Sequence, residues 1–243
     1  MRSARGVLSV LAVSGTAACT QSMADADDIY SRGNQHFVKC SESIDDKFHL
    51  PIEQILDAMA RSRDDGDTLH LYAHSPGVTV QLDTLEAVLG GAVAQGVGFA
   101  TYRQLSGGVV PGSVALSFDD HSLDTWTAMR PMLARHHARV TFFVSGFLEL
   151  SGTERAQLAQ LAEDGHDIEY HSTHHLDAAD YAEDHGLDGY IADEIVPGLD
   201  AMRAAGYTIT TFAYPFGARN ESIDDALAPY FKQLRTIRST CPR

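Results

Sequence analysis

The sequence predicts a single α/β domain of parallel strands joined by crossover helices. Three observations predict it. Short β-rich apolar runs alternate with longer stretches of helical periodicity along most of the chain. One run, "SVALSFDD" (Ser113 to Asp120), is almost continuously apolar, as a strand covered on both faces must be. The 243 residues, 44 % of them hydrophobic, are enough for one sizeable core. The residues alone leave open whether the sheet is flat-edged or closed into a barrel. In either case chemistry collects at the C-terminal ends of the strands.

The elements run in order along the chain. Residues 20 to 35 are polar and read as a linker. "TLHLYAH" (Thr68 to His74) is a strand that meets a turn at Ser75-Pro76-Gly77. The next segment carries Leu82, Leu85, Val88, Leu89 and Ala92 on one helical face and stops at Gly96. "VGFATY" and "SVALSFDD" are strands. Leu123, Trp126, Met129 or Arg130, and Leu133 mark one helix. "ARVTFFVS" is a strand. Ser151 and Glu154 form a capping box for a helix that stops at Gly165. "HDIEYH" is a strand, "DEIVPGLDAMRAAG" a helix interrupted or begun at Pro197, and "ITTFAYPFG" a strand. Asn220 or Ser222 caps a last helix.

The two ends and the charge bound the setting. "MRSARGVLSVLAVSGTAAC" has Arg2 and Arg5, an apolar run, then small residues, which reads as a secretory signal over residues 1–18. Cleavage before Cys19 leaves that cysteine for lipidation; cleavage near Ala26, after "ADA", is the competing reading. The expectation is an exported protein, periplasmic or in the cell envelope, with Cys19 as its only tie to a membrane. A formal charge of −15 argues against nucleic acid and anionic lipid surfaces, which demand a basic footprint. Cys40 and Cys241 remain, and in an oxidising compartment two such thiols suggest one disulfide, against two unrelated free thiols.

Functional residues gather at the expected strand ends. "GHDIEYHSTHH" (Gly165 to His175) holds four histidines in eleven residues. His70/His74 and His171/His175 are both i, i+4 pairs, and physics separates them. Residues four apart on a strand lie about 13 Å apart and cannot share an ion, so His70/His74 on "HLYAH" should not chelate. His171/His175 starts where a strand stops, so its rings can come within about 6 Å of each other. His174 at i+3 could replace His175. A carboxylate from a neighbouring strand end, Asp119 or Asp120, would complete a three-ligand site with open positions, the catalytic type. Alone, an Asp-Asp pair is usually a solvated turn or a cap, and an HxxxH pair a surface feature. Their joint occurrence at successive strand ends sets them apart.

"SFDD", "HSTHH" and "FAYPFGARN" in this order resemble the polysaccharide deacetylases (the NodB homology domain, carbohydrate esterase family four). The resemblance implies an irregular (β/α) barrel of about seven parallel strands and hydrolysis of N-acetyl groups on an acetylated glycan. It implies Asp119 as general base and Asp120, His171 and His175 as ligands of a divalent metal, zinc being the expected ion. The backbone N–H of Phe216 would bind the oxyanion. The family also uses a late histidine as general acid, and no strand of that form follows Gly217. The segment Ser43 to Leu105 instead carries the order of the family's C-terminal part, ahead of "SFDD". The implied arrangement is a circular permutation within a domain spanning 36–243, with 36–110 as the family's C-terminal part and 111–243 as its N-terminal part. The competing reading is a separate small domain over 36–110. Permutation makes His74 the general acid, with Asp45 or Asp46 as its supporting carboxylate. It makes Cys40 and Cys241 neighbours whose disulfide would fasten the seam. Many relatives carry an arginine that orients the base where this chain has Ala213; Arg219, just downstream, is the candidate substitute, although a plain surface place suits it better. Trp126 and Tyr214 are the aromatic candidates for sugar stacking, although a core place suits both. Hydrolysis of another amide or an O-acetyl ester, and carbohydrate binding without catalysis, are the competing functions. Oligomeric state is not legible.

Overall fold

The computed structural model describes residues 22–32, 37–108 and 110–242. The signal segment 1–18 and Cys19 lie outside the described residues. The expected linker over 19–35 is, where described, part of the fold. Two short 3-10 turns, Met23–Asp25 and Asp27–Ile29, lead into strand β1 (Tyr30–Ser31). Met23, Ala26 and Ile29 are buried in the main core. Their spacing of three places one apolar face against the domain, a pattern that the polar composition of the segment conceals.

The remaining elements are β2 (Val38–Ser43), α1 (Ile52–Asp65), β3 (Thr68–Ala73), α2 (Leu82–Gln95), β4 (Gly98–Phe99), α3 (Tyr102–Gly107) and β5 (Ser113–Asp120). They continue as α4 (Leu123–Ala128), α5 (Arg130–Arg135), β6 (Thr141–Val144), α6 (Gly152–Glu163), β7 (Asp167–Tyr170), α7 (Ala178–Tyr190) and α8 (Val196–Ala204). The chain ends with β8 (Thr211–Ala213), α9 (Glu221–Leu227) and β9 (Gln233–Ile237). Strands pair in the order β3-β2-β9-β8-β7-β6-β5, and β3 pairs back on β5. Seven parallel strands therefore close a barrel. The closing ladder runs from Thr68↔Ser113 to Ala73↔Phe118. β1 lies antiparallel on β3, and β4 pairs with the start of β5.

Alternation of side chains explains the layers. Leu69, Leu71, Val114, Leu116, Phe118, Phe142, Val144, Ile168, Phe212 and Leu234 belong to the main core with the helix residues Leu85, Val88, Leu158, Leu161 and Leu199. The alternate residues fill the barrel and are largely polar: His70, Ser117, Asp119, Glu169, His171, Thr211, Gln233 and Arg235 are all buried. Their bonding is supplied within the barrel. The hydroxyl of Tyr102, on α3, lies 3.0 Å from both His70 Nδ1 and Ser41 Oγ, while Gln233 Nε2 donates to the Tyr102 carbonyl at 2.6 Å. The polar interior thus has its own network, and its upper members face the site.

Several elements depart from the expected bounds. The single helix expected over Leu123 to Leu133 is two, α4 and α5, since Pro131 removes a backbone donor in the first turn of the second. The helix expected from Asp193 starts earlier, after a break at Gly186 (φ 77°) within α7, and passes through a π turn, Ile191–Ile195, before Pro197. β9, in "QLRTI", is not anticipated. Asn220 is the cap of α9, accepting from the Ile223 N–H at 2.9 Å. No helix among the described residues is long and apolar enough to cross a membrane.

β9 lies against β2, with Cys40 in register with Thr236. Cys40 and Cys241 are disulfide-bonded across a sequence separation of 201 residues. A cross-link over so long a loop removes much unfolded-state entropy. The Cys40→Ser variant is expected to lose about 2–5 kcal/mol of stability, measured by urea unfolding without reductant.

Candidate cation centre and active site

Three donors meet above the barrel. The β7 ladder continues one residue past its end, with the His171 N–H donating to the Val144 carbonyl at 3.0 Å, which fixes His171 over the mouth. Its Nδ1 donates to the Ala213 carbonyl at 2.8 Å, leaving Nε2 free to face inward. His175 is turned back toward it by a loop whose Ser172 Oγ accepts the His175 N–H at 2.9 Å. Asp120 ends β5 at φ 83°, a left-handed conformation that redirects its carboxylate out of the strand alternation. Asp120 Oδ1 lies 3.1 Å from His175 Nε2 and 3.6 Å from His171 Nε2. Donor atoms of the three residues all lie within 4.8 Å of one another.

This set fits a divalent cation. Asp120 Oδ1 is buried and has no hydrogen bond of proper geometry, so the protein leaves it a vacant valence. Burial would raise the Asp120 carboxyl, but the two imidazoles draw it well below the usual carboxylate range, so it stands ionised. Strain also concentrates here. Of six non-glycine residues at positive φ among those described, four are Asp120, Ser172, His175 and Phe216. Such conformations persist where surroundings over-determine them, commonly at functional sites. His174 is not in the cluster; its Nδ1 turns away to Glu194. His70 is also outside the cluster: it is buried inside the barrel and bonded to Tyr102 and Ser31.

Asp119 points into the barrel and is ion-paired with the guanidinium of Arg235 on β9. Both side chains are buried. The Arg235 guanidinium carbon stands 5.0 Å from the ring centroids of both Tyr72 and Phe143, so two aromatic faces hold the cation in place. Arg219, expected as the substitute arginine, is elsewhere. Its guanidinium pairs with Asp224, which also accepts from the Tyr214 hydroxyl at 2.7 Å. Bonds to the Asp224 carboxylate and to the Thr240 carbonyl at 3.4 Å keep Arg219 beside α9. Arg235 is the residue that sequence reasoning missed. It stands in register with Ala213 on the neighbouring strand, so the barrel receives at one level a guanidinium from β9 where β8 offers only a methyl group. The available signal was the alternation Gln233, Leu234, Arg235 in "QLRTI".

His74 follows β3 and reaches the site from the closing edge of the barrel. Its Nδ1 donates to Asp45 Oδ2 at 2.5 Å, and its N–H donates to Asp45 Oδ1 at 3.2 Å. Asp45, 1 % exposed, is further held by the Thr79 hydroxyl at 2.8 Å. Burial works against the charged ring of His74, but the bond to Asp45 and the charges of Asp119, Asp45 and Asp120 outweigh it and raise its pKa. Asp46, the other expected supporting carboxylate, does not join: it binds Gln81 through that residue's N–H and side-chain amide. Asp46 opens the 3-10 turn Asp46–Phe48, whereas Asp45 is the extended residue before it.

One cavity of about 340 Å³ is lined by His74, Asp119, Asp120, His171, His175, Phe216 and Arg235. Trp126 and Tyr214, the expected stacking candidates, are core residues at 0 % and 1 % exposure. The exposed rings at the cavity are instead Phe48 and Phe216, at 53 % and 62 %.

A closed (β/α) barrel thus carries a two-histidine, one-carboxylate cluster at its strand ends, where the active sites of such barrels lie. Residues 107–230 match the polysaccharide deacetylase family, and the chain belongs to that family. β2, β3 and β9 lie outside the matched residues. Among solved structures, the chain is similar to IcaB from Ammonifex degensii, at 17 % identity over 70 % of this chain and 82 % of that one, with a TM-score of 0.52. It is similar to BA0330 from Bacillus anthracis, at 13 % identity over 70 % and 57 % of the two chains, with a TM-score of 0.52. The deacetylase PplD of Streptococcus pyogenes, solved with acetate, matches at 20 % identity over 67 % and 80 %, with a TM-score of 0.49. No curated protein matches the chain.

Removing one member of a buried ion pair strands the other. Arg235→Met is expected to cost about 3–5 kcal/mol. The double variant Arg235→Met/Ala213→Arg should regain much of it, because the second arginine starts at the same level of the barrel. Urea unfolding of both variants provides the check, and no recovery in the double variant would contradict the assigned pairing.

Proposed function

We propose that this protein is a metal-dependent carbohydrate deacetylase that removes N-acetyl groups from N-acetylglucosamine-type units and releases acetate. The observation that carries the reading is a single cavity holding a three-donor cluster, a buried carboxylate and a carboxylate-supported imidazole. Asp120, His171 and His175 would hold the ion, and a His₂-carboxylate donor set suits zinc. When bound, such an ion supplies Lewis-acid polarisation of the amide carbonyl and a lowered pKa for water.

The chain's own residues do the rest. Asp119, kept in place by Arg235, takes the proton of the attacking water. The Phe216 N–H, presented by a backbone at φ 57°, stabilises the developing oxyanion; one such donor is worth about 3–4 kcal/mol. His74, protonated with the help of Asp45, gives its proton to the departing nitrogen, so that a free amine leaves. The barrel order supports a circularly permuted domain: β2 and β3 sit in space between β9 and β5, although they precede β5 in the chain. The Cys40–Cys241 bond, which persists in oxidising compartments, supports export, with cleavage ahead of a lipidated Cys19 as the proposed route to the cell envelope.

Acetate release is to be measured from chitooligosaccharide, peptidoglycan and acetylated xylan, and ring opening from a cyclic imide, each with zinc present. Release from the first two alone is expected. Acetate from xylan alone, or ring opening of the imide alone, would place the enzyme on another acyl substrate. Asp119→Asn should leave zinc bound and lower kcat by at least about 10²-fold.

His74 must be protonated, so kcat/KM falls as pH rises through its elevated pKa. Asp45→Asn removes the carboxylate charge that helps to raise it, while burial, which lowers it, remains. The alkaline limb of the kcat/KM profile should therefore move to lower pH in that variant. An unmoved limb would show that another group sets it.

A further inference from the structure

Of the four histidines between Gly165 and His175, His174 has no place in the donor cluster, yet both its ring and its backbone N–H are bonded to one side chain. Glu194 explains this. Its side chain is fully buried, at 0 % exposure. Glu194 Oε1 accepts from His174 Nδ1 at 2.5 Å, and Oε2 accepts from the His174 N–H at 3.1 Å and faces the Leu176 N–H at 3.5 Å. Its backbone carbonyl accepts from the Thr173 N–H at 2.9 Å, the Thr173 hydroxyl at 3.0 Å and the Tyr170 hydroxyl at 2.7 Å. One residue thus ties down Thr173 and His174 through backbone and side chain together.

Those two residues are the ones that separate Ser172 (φ 71°) from His175 (φ 60°). Neither left-handed conformation is favourable for a residue with a Cβ. Both are needed to fold the loop back so that His175 meets His171, whose ring centroid lies 4.9 Å from that of His175. Glu194 is delivered to the loop by the π turn Ile191–Ile195, which sits between α7 and α8. A π turn inserts one residue into the helical count and so rotates the succeeding helix by roughly 100°. α8 then approaches the loop so closely that a Cβ at Gly198 would lie 2.6 Å from the Tyr170 hydroxyl and 3.0 Å from Thr173 Oγ1. The Gly198 N–H donates to Thr173 Oγ1 at 3.2 Å, a second tie from the same helix.

We propose that Glu194 is a positioning residue for the cation centre: it clasps the 173–176 loop from the helix layer and so holds His175 in its strained, ligand-presenting conformation. The inference rests on the cation site proposed above but not on the reaction assigned to it. Partners outside the ligand set commonly change metal affinity by about 10- to 100-fold when removed.

The test measures zinc affinity of the purified chain by competition with a chromophoric chelator, alongside the melting temperature of the metal-free protein and the visible spectrum of the cobalt-loaded protein. Glu194→Gln keeps the size and one acceptor, and is expected to bind zinc about 10-fold more weakly with the metal-free melting temperature near wild type. His174→Leu removes only the half-exposed ring's bond and should weaken zinc several-fold on the same scaffold. Both variants should shift the cobalt d–d bands, which report ligand geometry. Wild-type affinity and an unshifted cobalt spectrum in both folded variants would overturn the proposal. So would a loss of affinity matched by an equal loss of metal-free stability, because Glu194 would then serve folding alone. If the wild-type chain binds no zinc, the cation centre itself fails, an outcome distinct from failure of the clasp.

Discussion

The hydrogen-bond ladder between β3 and β5 is the constraint on which the site depends. It closes the barrel, and its register from Thr68↔Ser113 to Ala73↔Phe118 fixes the level at which the two strands end. His74 follows the last pair on one strand, and Asp119 follows it on the other. A shift of one residue would turn Asp119 to the helix layer, among Phe142 and Trp126, and carry Phe118 into the barrel, because strand side chains alternate. The same ladder lets a histidine that precedes the Asp-Asp pair in the chain stand beside it in space.

Closure also explains the interior. Inside a narrow barrel the inward side chains meet only one another, so charged groups there must be paired. Asp119 and Arg235 pair, and Tyr72 and Phe143 cover the guanidinium. Tyr102 serves the polar groups nearer the base. The desolvation of such a pair is costly, so its retention points to a use for the carboxylate beyond stability. A carboxylate fixed in direction by a buried cation suits a base that must accept a proton along one line.

The strand ends that matter were legible in the sequence because a buried parallel strand reads as an apolar run that stops abruptly. "SVALSFDD", "HDIEYH" and "ITTFAYPFG" all stop where the structure ends a strand or turns it, and their terminal residues line one cavity. The His70/His74 and His171/His175 pairs were separable by strand geometry alone. Less was legible where pattern and packing diverge. β9 has a glutamine and an arginine on its inward face, which lowers the apolar signal that marked the other strands, and with it went Arg235. The packed turns at Met23 to Ile29 were hidden by a polar composition. Choosing Asp45 over Asp46 needed the backbone turn between them, which spacing does not give. Glu194 is separated from His174 by a helix and a π turn, and no local pattern joins them.

The central claim is that barrel closure makes His74, from the front of the chain, the acid that protonates the leaving group opposite Asp119. Leaving-group dependence tests it most directly. With zinc bound, His74→Ala is to be assayed on a chitooligosaccharide, whose amine leaves only with a proton, and on an aryl acetate, whose phenolate needs none. The account predicts a loss of about 10²- to 10⁴-fold in kcat on the amide and near wild-type turnover of the ester. Equal losses on both substrates, or an amide rate left intact, would contradict it.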